Sequence, residues 1–170
     1  PADVLPQNIV INSGTIENVN AVLDLDGENL TALQGKADIN DASCRIMDTD
    51  IDNINSQIVF NKDFLTVFAK AAIKGQTIDV HGKVSFAADP ELSLVAHSDA
   101  INPKNIFANI PFDGDTAFSA NITGTVANPI VSADLSAKKA SFYGYTFNNA
   151  KVKGNFENNV LYIEQASLDF

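Results

Sequence analysis

The chain has 170 residues, of which 45% are hydrophobic, and a formal net charge of −10 with a pI near 4.4. That length suits a single domain over residues 1–170 with enough apolar material for a sizeable core, which excludes disorder throughout. The acidity excludes a nucleic-acid partner, because counterion release from phosphates needs a basic face, and an anionic membrane surface would also repel the chain.

The acidic residues are scattered, as on a solvated outer surface. The apolar residues are mainly Val, Ile, Leu, Phe and Ala dispersed among Asn, Ser, Thr and Asp, a mixture that favours strands. Cys44 stands alone, so no intrachain disulfide and no thiolate cluster can form. No run approaches the ~20 apolar residues of a membrane-spanning helix, and no signal peptide opens the sequence. Pro1 at the start and a strand running to Phe170 suggest a fragment of a longer repetitive protein.

Asn8 to Ile11 reads as a first strand ended by a turn at Asn12-Ser13-Gly14. Val19, Ala21, Leu23 and Leu25 then alternate with polar residues, the period of two that marks a half-buried strand, and Asp26-Gly27 closes a hairpin. Leu33 to Ile39 and Ile54 to Phe60 continue the alternation. Phe64 to Ile73 suits a helix by propensity, but its alignment to Val160–Leu168 predicts a strand. Ile78, Val80, Gly82, Val84 and Phe86 alternate most clearly; Asp89-Pro90 turns the chain into Leu92, Leu94 and Ala96. Pro103 can open a short helix with Ile106, Phe107 and Ile110 as its apolar stripe, ended by Pro111. Phe118 to Val126 and Val131 to Ala137 then pair as a hairpin around Asn128-Pro129. About a dozen short strands, with turns every 8 to 12 residues, are expected.

One pattern occurs three times. Thr15-Ile16-Glu17-Asn18-Val19-Asn20, Asp50-Ile51-Asp52-Asn53-Ile54-Asn55 and Thr146-Phe147-Asn148-Asn149-Ala150-Lys151 align without a gap through Leu25, Phe60 and Phe156 to Leu30, Leu65 and Leu161. The copies lie 35 and then 96 residues apart, as in a solenoid-like array with insertions. Each reads as strand, tight turn, strand.

The segment from His97 to Leu135 resembles the AsmA-like and TamB family of bacterial envelope proteins. The likeness is carried by Ala100-Ile101-Asn102-Pro103 with Ile106 and Phe107, by Phe118–Ile122 and Gly124, and by Asn128-Pro129-Ile130-Val131 with Ala133-Asp134-Leu135. The strand pair from Gly144 to Ile163 extends it. The resemblance implies an all-β fold: a long, curved antiparallel sheet folded lengthwise into a trough with an apolar interior. It also implies a periplasmic bridge between two membranes that moves phospholipid or assists outer-membrane protein assembly. An inner-membrane anchor and an outer-membrane barrel partner would then belong to other parts of the parent protein.

In such a trough the lining would be Leu23, Leu25, Ile39, Ile58, Phe60, Val80, Val84, Phe86, Leu94, Phe118, Ile122, Val131, Leu135, Phe156, Leu161 and Ile163. Each methylene of an acyl chain buried against them gains ~0.8 kcal/mol. Alternation alone fits a closed sandwich core equally well, and a structural or adhesive module binding protein partners along a strand edge is the alternative function. Asp48, Asp50 and Asp52 hint at a calcium loop, but Asn53 and Val59 stand where an EF-hand has Gly and Glu. His81 and His97 fall on polar faces; Asp79 near His81 is weak support for a ligand or base role, and exposed surface histidines are the expectation. Arg45 beside Cys44 could depress the thiol pKa, but no downstream motif makes it a nucleophile, and a half-buried strand cysteine is the expectation. Asn29-Leu30-Thr31 and Asn121-Ile122-Thr123 match glycosylation acceptors but follow equally from Asn- and Thr-rich strands. No catalytic, cofactor or zinc motif appears, so a non-enzymatic role is expected, and exposed end strands suggest an edge-to-edge homodimer.

Overall fold

The computed structural model describes residues 9–46, 49–105, 111–158 and 160–169. They form one antiparallel sheet of eleven strands: β1 (Ile9–Asp26), β2 (Asn29–Ile46), β3 (Thr49–Asn61), β4 (Phe64–Ile73), β5 (Gln76–Ser85), β6 (Leu92–Ile101), β7 (Phe112–Asp113), β8 (Thr116–Gly124), β9 (Pro129–Phe142), β10 (Tyr145–Glu157) and β11 (Val160–Asp169). Strands pair in chain order, except that the two-residue β7 pairs with the end of β9 beyond β8. β1 and β11 do not pair with each other, so the sheet is open. The fold is the expected elongated, curved antiparallel sheet folded into a trough.

Phe64–Ile73 is strand β4, as its alignment requires, because both its neighbours offer a full hydrogen-bonding ladder that overrides helix propensity. Two expectations are corrected. Asn12-Ser13-Gly14 is no turn: β1 runs through it, absorbing the misfit as register shifts on either side of Ser13, with Gly14 at φ 147°. The strands are also longer than expected, with 18 residues in each of the first two. Near the expected helix there is a 3-10 turn over Pro103–Asn105; Ile106, Phe107 and Ile110 lie outside the described residues, as does Asn8.

The three-copy pattern has a structural meaning. Leu25↔Leu30, Phe60↔Leu65 and Phe156↔Leu161 are cross-strand partners beside three hairpin turns, so each copy is one arm of a hairpin. The shared asparagines, Asn18, Asn53 and Asn149, all have positive φ, at 51°, 51° and 49°. Asn tolerates this left-handed conformation better than other residues with a Cβ, which is why it recurs at this position. In β3 and β10 it sets two consecutive side chains outward, Asp52-Asn53 and Asn148-Asn149, between inward neighbours. Asp99-Ala100 in β6 and Lys138-Lys139 in β9 show the same interruption, and Asp41 in β2, at φ 49°, lies at a register shift. These points fall on β1–β3, on β6 and on β9–β10, and mark a crease along which the sheet bends, as bulges do to a strand.

Polar contacts stitch the outside of the crease. Asn18 Nδ2 donates to Asp38 Oδ2 at 2.9 Å, Asn149 Nδ2 to Asp169 Oδ2 at 3.3 Å, and the Asp41 amide to Asn55 Oδ1 at 3.3 Å. Inside the bend sits a small core of Ala137, Ala140, Phe147 and Ala150, with Phe112 packed against it. Phe147 is 4% exposed, and its ring lies 6.1 Å from that of Phe112. Two tight turns, Lys74-Gly75 and Tyr143-Gly144, carry positive φ at both residues, the type I′ geometry that matches strand twist.

Replacing Asn53 by Val should therefore lower stability by about 1–2 kcal/mol, whereas Asn53→Gly should stay within about 0.5 kcal/mol of the parent. Urea unfolding midpoints at unchanged slope measure both. Equal losses in the two variants would show that the side chain, rather than backbone conformation, matters there.

Candidate functional site: an apolar groove

Register assigns one face of the sheet to apolar side chains. Ala37, Ile58, Val67, Gly82, Leu94, Ile122, Val131, Phe156 and Leu161 are successive cross-strand partners from β2 to β11, skipping β7. Eight interstrand steps of ~4.8 Å make this row about 38 Å long. A parallel row runs through Ile39, Ser56, Ala69, Val80, Ala96, Ala120, Ala133, Gly154 and Ile163. Phe60 and Val84 belong to the same face through their partner Leu65, as does Leu135 through its partner Phe118. The Phe60 ring lies across Gly35, where a Cβ would collide with it, so the glycine makes room for the aromatic side chain.

The predicted lining residues are thus largely brought onto one surface, with three qualifications of place. Leu23 lies on this face at the β1 edge, whereas Leu25 follows a register shift beside the turn. Phe86 lies just past β5, its amide bonded to the Asp63 carbonyl, and is 54% exposed. Leu161 pairs with Phe156, but its side chain lies outside the described ones.

None of the lining residues with a described side chain is buried. Most are half-buried, and Leu23, Leu25, Phe86, Phe156 and Ile163 are exposed. A closed sandwich would bury these positions against a second layer. The chain instead exposes 11378 Å², against about 8,100 Å² for a compact monomer of its mass.

At the β9–β10 end the bend encloses a groove of about 480 Å³, within the ~300–1,000 Å³ range of ligand sites. Val131, Leu135, Phe156 and Ile163 line it, as expected. Val152, Phe112 and Phe142 line it too and were missed. Stepping back by two from Phe156 through Gly154 would have found Val152. Nothing in the sequence signals Phe112 or Phe142, because the bend alone carries them over the main limb of the sheet.

The opposite face is mainly polar, although Phe68, the cross-strand partner of His81, stands exposed on it. His81 and His97 are both exposed on it, and His97 Nε2 lies 3.1 Å from Asp99 Oδ1. Asp79 faces Lys70 at 3.6 Å. At the rim Asn102 Nδ2 and Lys104 Nζ each donate at 2.8 Å to Asp113, and these bonds, Lys104's first, hold its carboxyl below the usual range. Arg45 grips Asp50 at 2.6 and 3.1 Å, and the hydrogen bond lowers that carboxyl's pKa. Asp50 is thereby engaged with a guanidinium; Asp48 lies outside the described residues, and among the described residues no three potential ligands cluster.

Cys44 is the half-buried strand cysteine that was expected, in β2: burial, and then the charge of Asp52, push its pKa up, while the Arg45 guanidinium is taken up by Asp50. Cys44 should accordingly react with iodoacetamide at pH 8 more slowly than a free thiol, and Asp52→Asn should speed it, because the thiolate is the reactive form. A rate above that of free cysteine would contradict this environment.

Compared with family models, curated proteins and solved structures, the chain matches none of them.

Proposed function

We propose that this chain is a segment of a bridge-like lipid carrier, holding phospholipid acyl chains in its apolar trough. The observation that supports this most directly is the continuous apolar face, about 38 Å across by strand spacing, whose side chains are neither buried by a second layer nor interrupted by charge. At ~25 cal/mol per Å² removed from water, covering that surface is strongly favourable, and an acyl chain covers it without hydrogen-bonding demands. An open sheet also leaves a seam through which a polar headgroup stays in water while its chains are sheltered.

The resemblance of His97–Leu135 to AsmA-like and TamB proteins supplies the setting of the proposal: a periplasmic position between the inner and outer membranes of a two-membrane bacterium. Assistance to outer-membrane protein assembly, through a barrel partner engaged by other parts of the parent, belongs to the same proposal. Passage needs no catalysis, since a uniform apolar wall offers neighbouring sites of similar energy.

Native mass spectrometry of the purified chain, with solvent extraction of what it releases, tests this. Bound phospholipid is expected, and Ile122→Asp or Leu135→Asp should reduce its occupancy at least about tenfold, since a carboxylate in the lining has no hydrogen-bonding partner in an acyl chain. A folded chain that carries no lipid, or variants that bind as the parent does, would reject the carrier reading in favour of a surface for protein partners.

A further inference from the structure

The groove at the β9–β10 end has a mouth and a closed end. Phe156 and Ile163 line it where the sheet stands open, at 37% and 54% exposure, whereas Thr116, Ala137 and Ala150 line it beside the crease at 3–5%. Ala137 and Ala150 belong at the same time to the small core, so the groove stops where the core begins. From Ala150 to Phe156 β10 spans about 20 Å at ~3.3 Å per residue, which measures the depth of the groove along the strands.

Phe112 is the wall between groove and core. It packs against the core cluster, with its ring near that of Phe147, and it also lines the groove. Its place is fixed from both sides. Phe112 and Asp113 pair with Phe142 and Ser141, and the Tyr143 amide donates to the Pro111 carbonyl at 2.9 Å. Gly114 presses on β9 so closely that an added Cβ would lie 2.6 Å from the Ala140 Cβ. On the outside, Asp113 is held by Asn102 and Lys104, and the Gln76 side chain ties the β4–β5 turn to the same segment. Gln76 Oε1 accepts from the Asn102 amide at 2.8 Å and from Asn105 Nδ2 at 2.7 Å, while its Nε2 donates to Asp115 Oδ1 at 2.9 Å. Displacing Phe112 would require several of these bonds to break together.

The closed end suits hydrocarbon. Thr116, the polar side chain buried there, already donates to the Gly114 carbonyl at 3.3 Å, and no charged side chain among the described residues lines the groove. A peptide inserted to that depth would leave amides and carbonyls unpaired, a cost that a hydrocarbon chain does not carry. We infer that this end of the trough is a station for the end of one hydrocarbon chain, which enters methyl first from the mouth, with Phe112 as the stop that sets how long a chain it accommodates. The inference rests on the carrier reading and adds to it a limit on chain length, which a wall of uniform depth would not impose.

Lysophosphatidylcholines of increasing saturated chain length, each kept below its micelle-forming concentration and competed against a fluorescent fatty acid, test it. In the parent each added methylene should tighten binding about fourfold until the chain reaches Phe112, after which further length should bring no gain. Phe112→Ala should move that limit to longer chains and Phe112→Trp to shorter ones, while Phe68→Ala, on the opposite face, should leave it in place. Circular dichroism checks folding, and Phe112→Leu, with a smaller shift toward longer chains, serves if the alanine variant does not fold. Affinity that climbs with length without limit in the parent, or a limit that no folded Phe112 variant moves, would overturn the stop and leave the carrier reading standing. A folded parent that binds no chain of any length would overturn both.

Discussion

A lone sheet with one apolar face and no second layer has a single way to bury that face, which is to bend it toward itself. Everything else in this molecule follows from that constraint. The bend buries a few small side chains and Phe147 beneath Phe112, while the wider face stays half open to water. A surface well above that of a compact monomer is the direct measure of how incomplete the self-burial is. The chain is built around an unfinished core, and it is the unfinished part that offers itself to a ligand.

The bend in turn rests on backbone conformation. Asn18, Asn53 and Asn149 adopt a left-handed geometry that most residues resist, and in β3 and β10 it reverses the inside-outside parity of the strand for one step. Two outward polar residues then stand side by side, hydrogen-bonding across strands on the convex ridge, while the apolar series resumes on the concave side. A repeated local distortion is thereby converted into a continuous fold line.

Much of this was legible in the residues. Period-two alternation located nearly every strand, and the hydrophobic pairs beside the hairpins, such as Phe60 with Leu65, were visible as matching ends of the repeat. The repeat also marked the crease residues without disclosing what they do, because an asparagine in a left-handed bulge and one in a turn leave the same trace in sequence. That ambiguity misassigned Asn12-Ser13-Gly14, where neighbouring strand β2 supplies enough pairing for β1 to run on. Lys74-Gly75 closes a hairpin that alternation on both sides implied only after the fact. Phe112 and Phe142 reach the groove through the bend, a property of the whole sheet that no local window contains. Cys44 is the half-buried strand residue that its sequence context suggests; what the sequence did not disclose is that the cation next to it is committed to a carboxylate five residues on.

The strand order carries one more consequence. Apart from the short β7, every strand pairs with its immediate predecessor and successor in the sheet, so its pairing ladders join segments that are neighbours along the chain. Such a chain can assemble progressively, each new hairpin docking on an edge already formed, at a rate set by local closure rather than by a global search. A polypeptide delivered end first through a narrow pore could acquire this structure as it emerges, with the growing edge serving as its own template at every step.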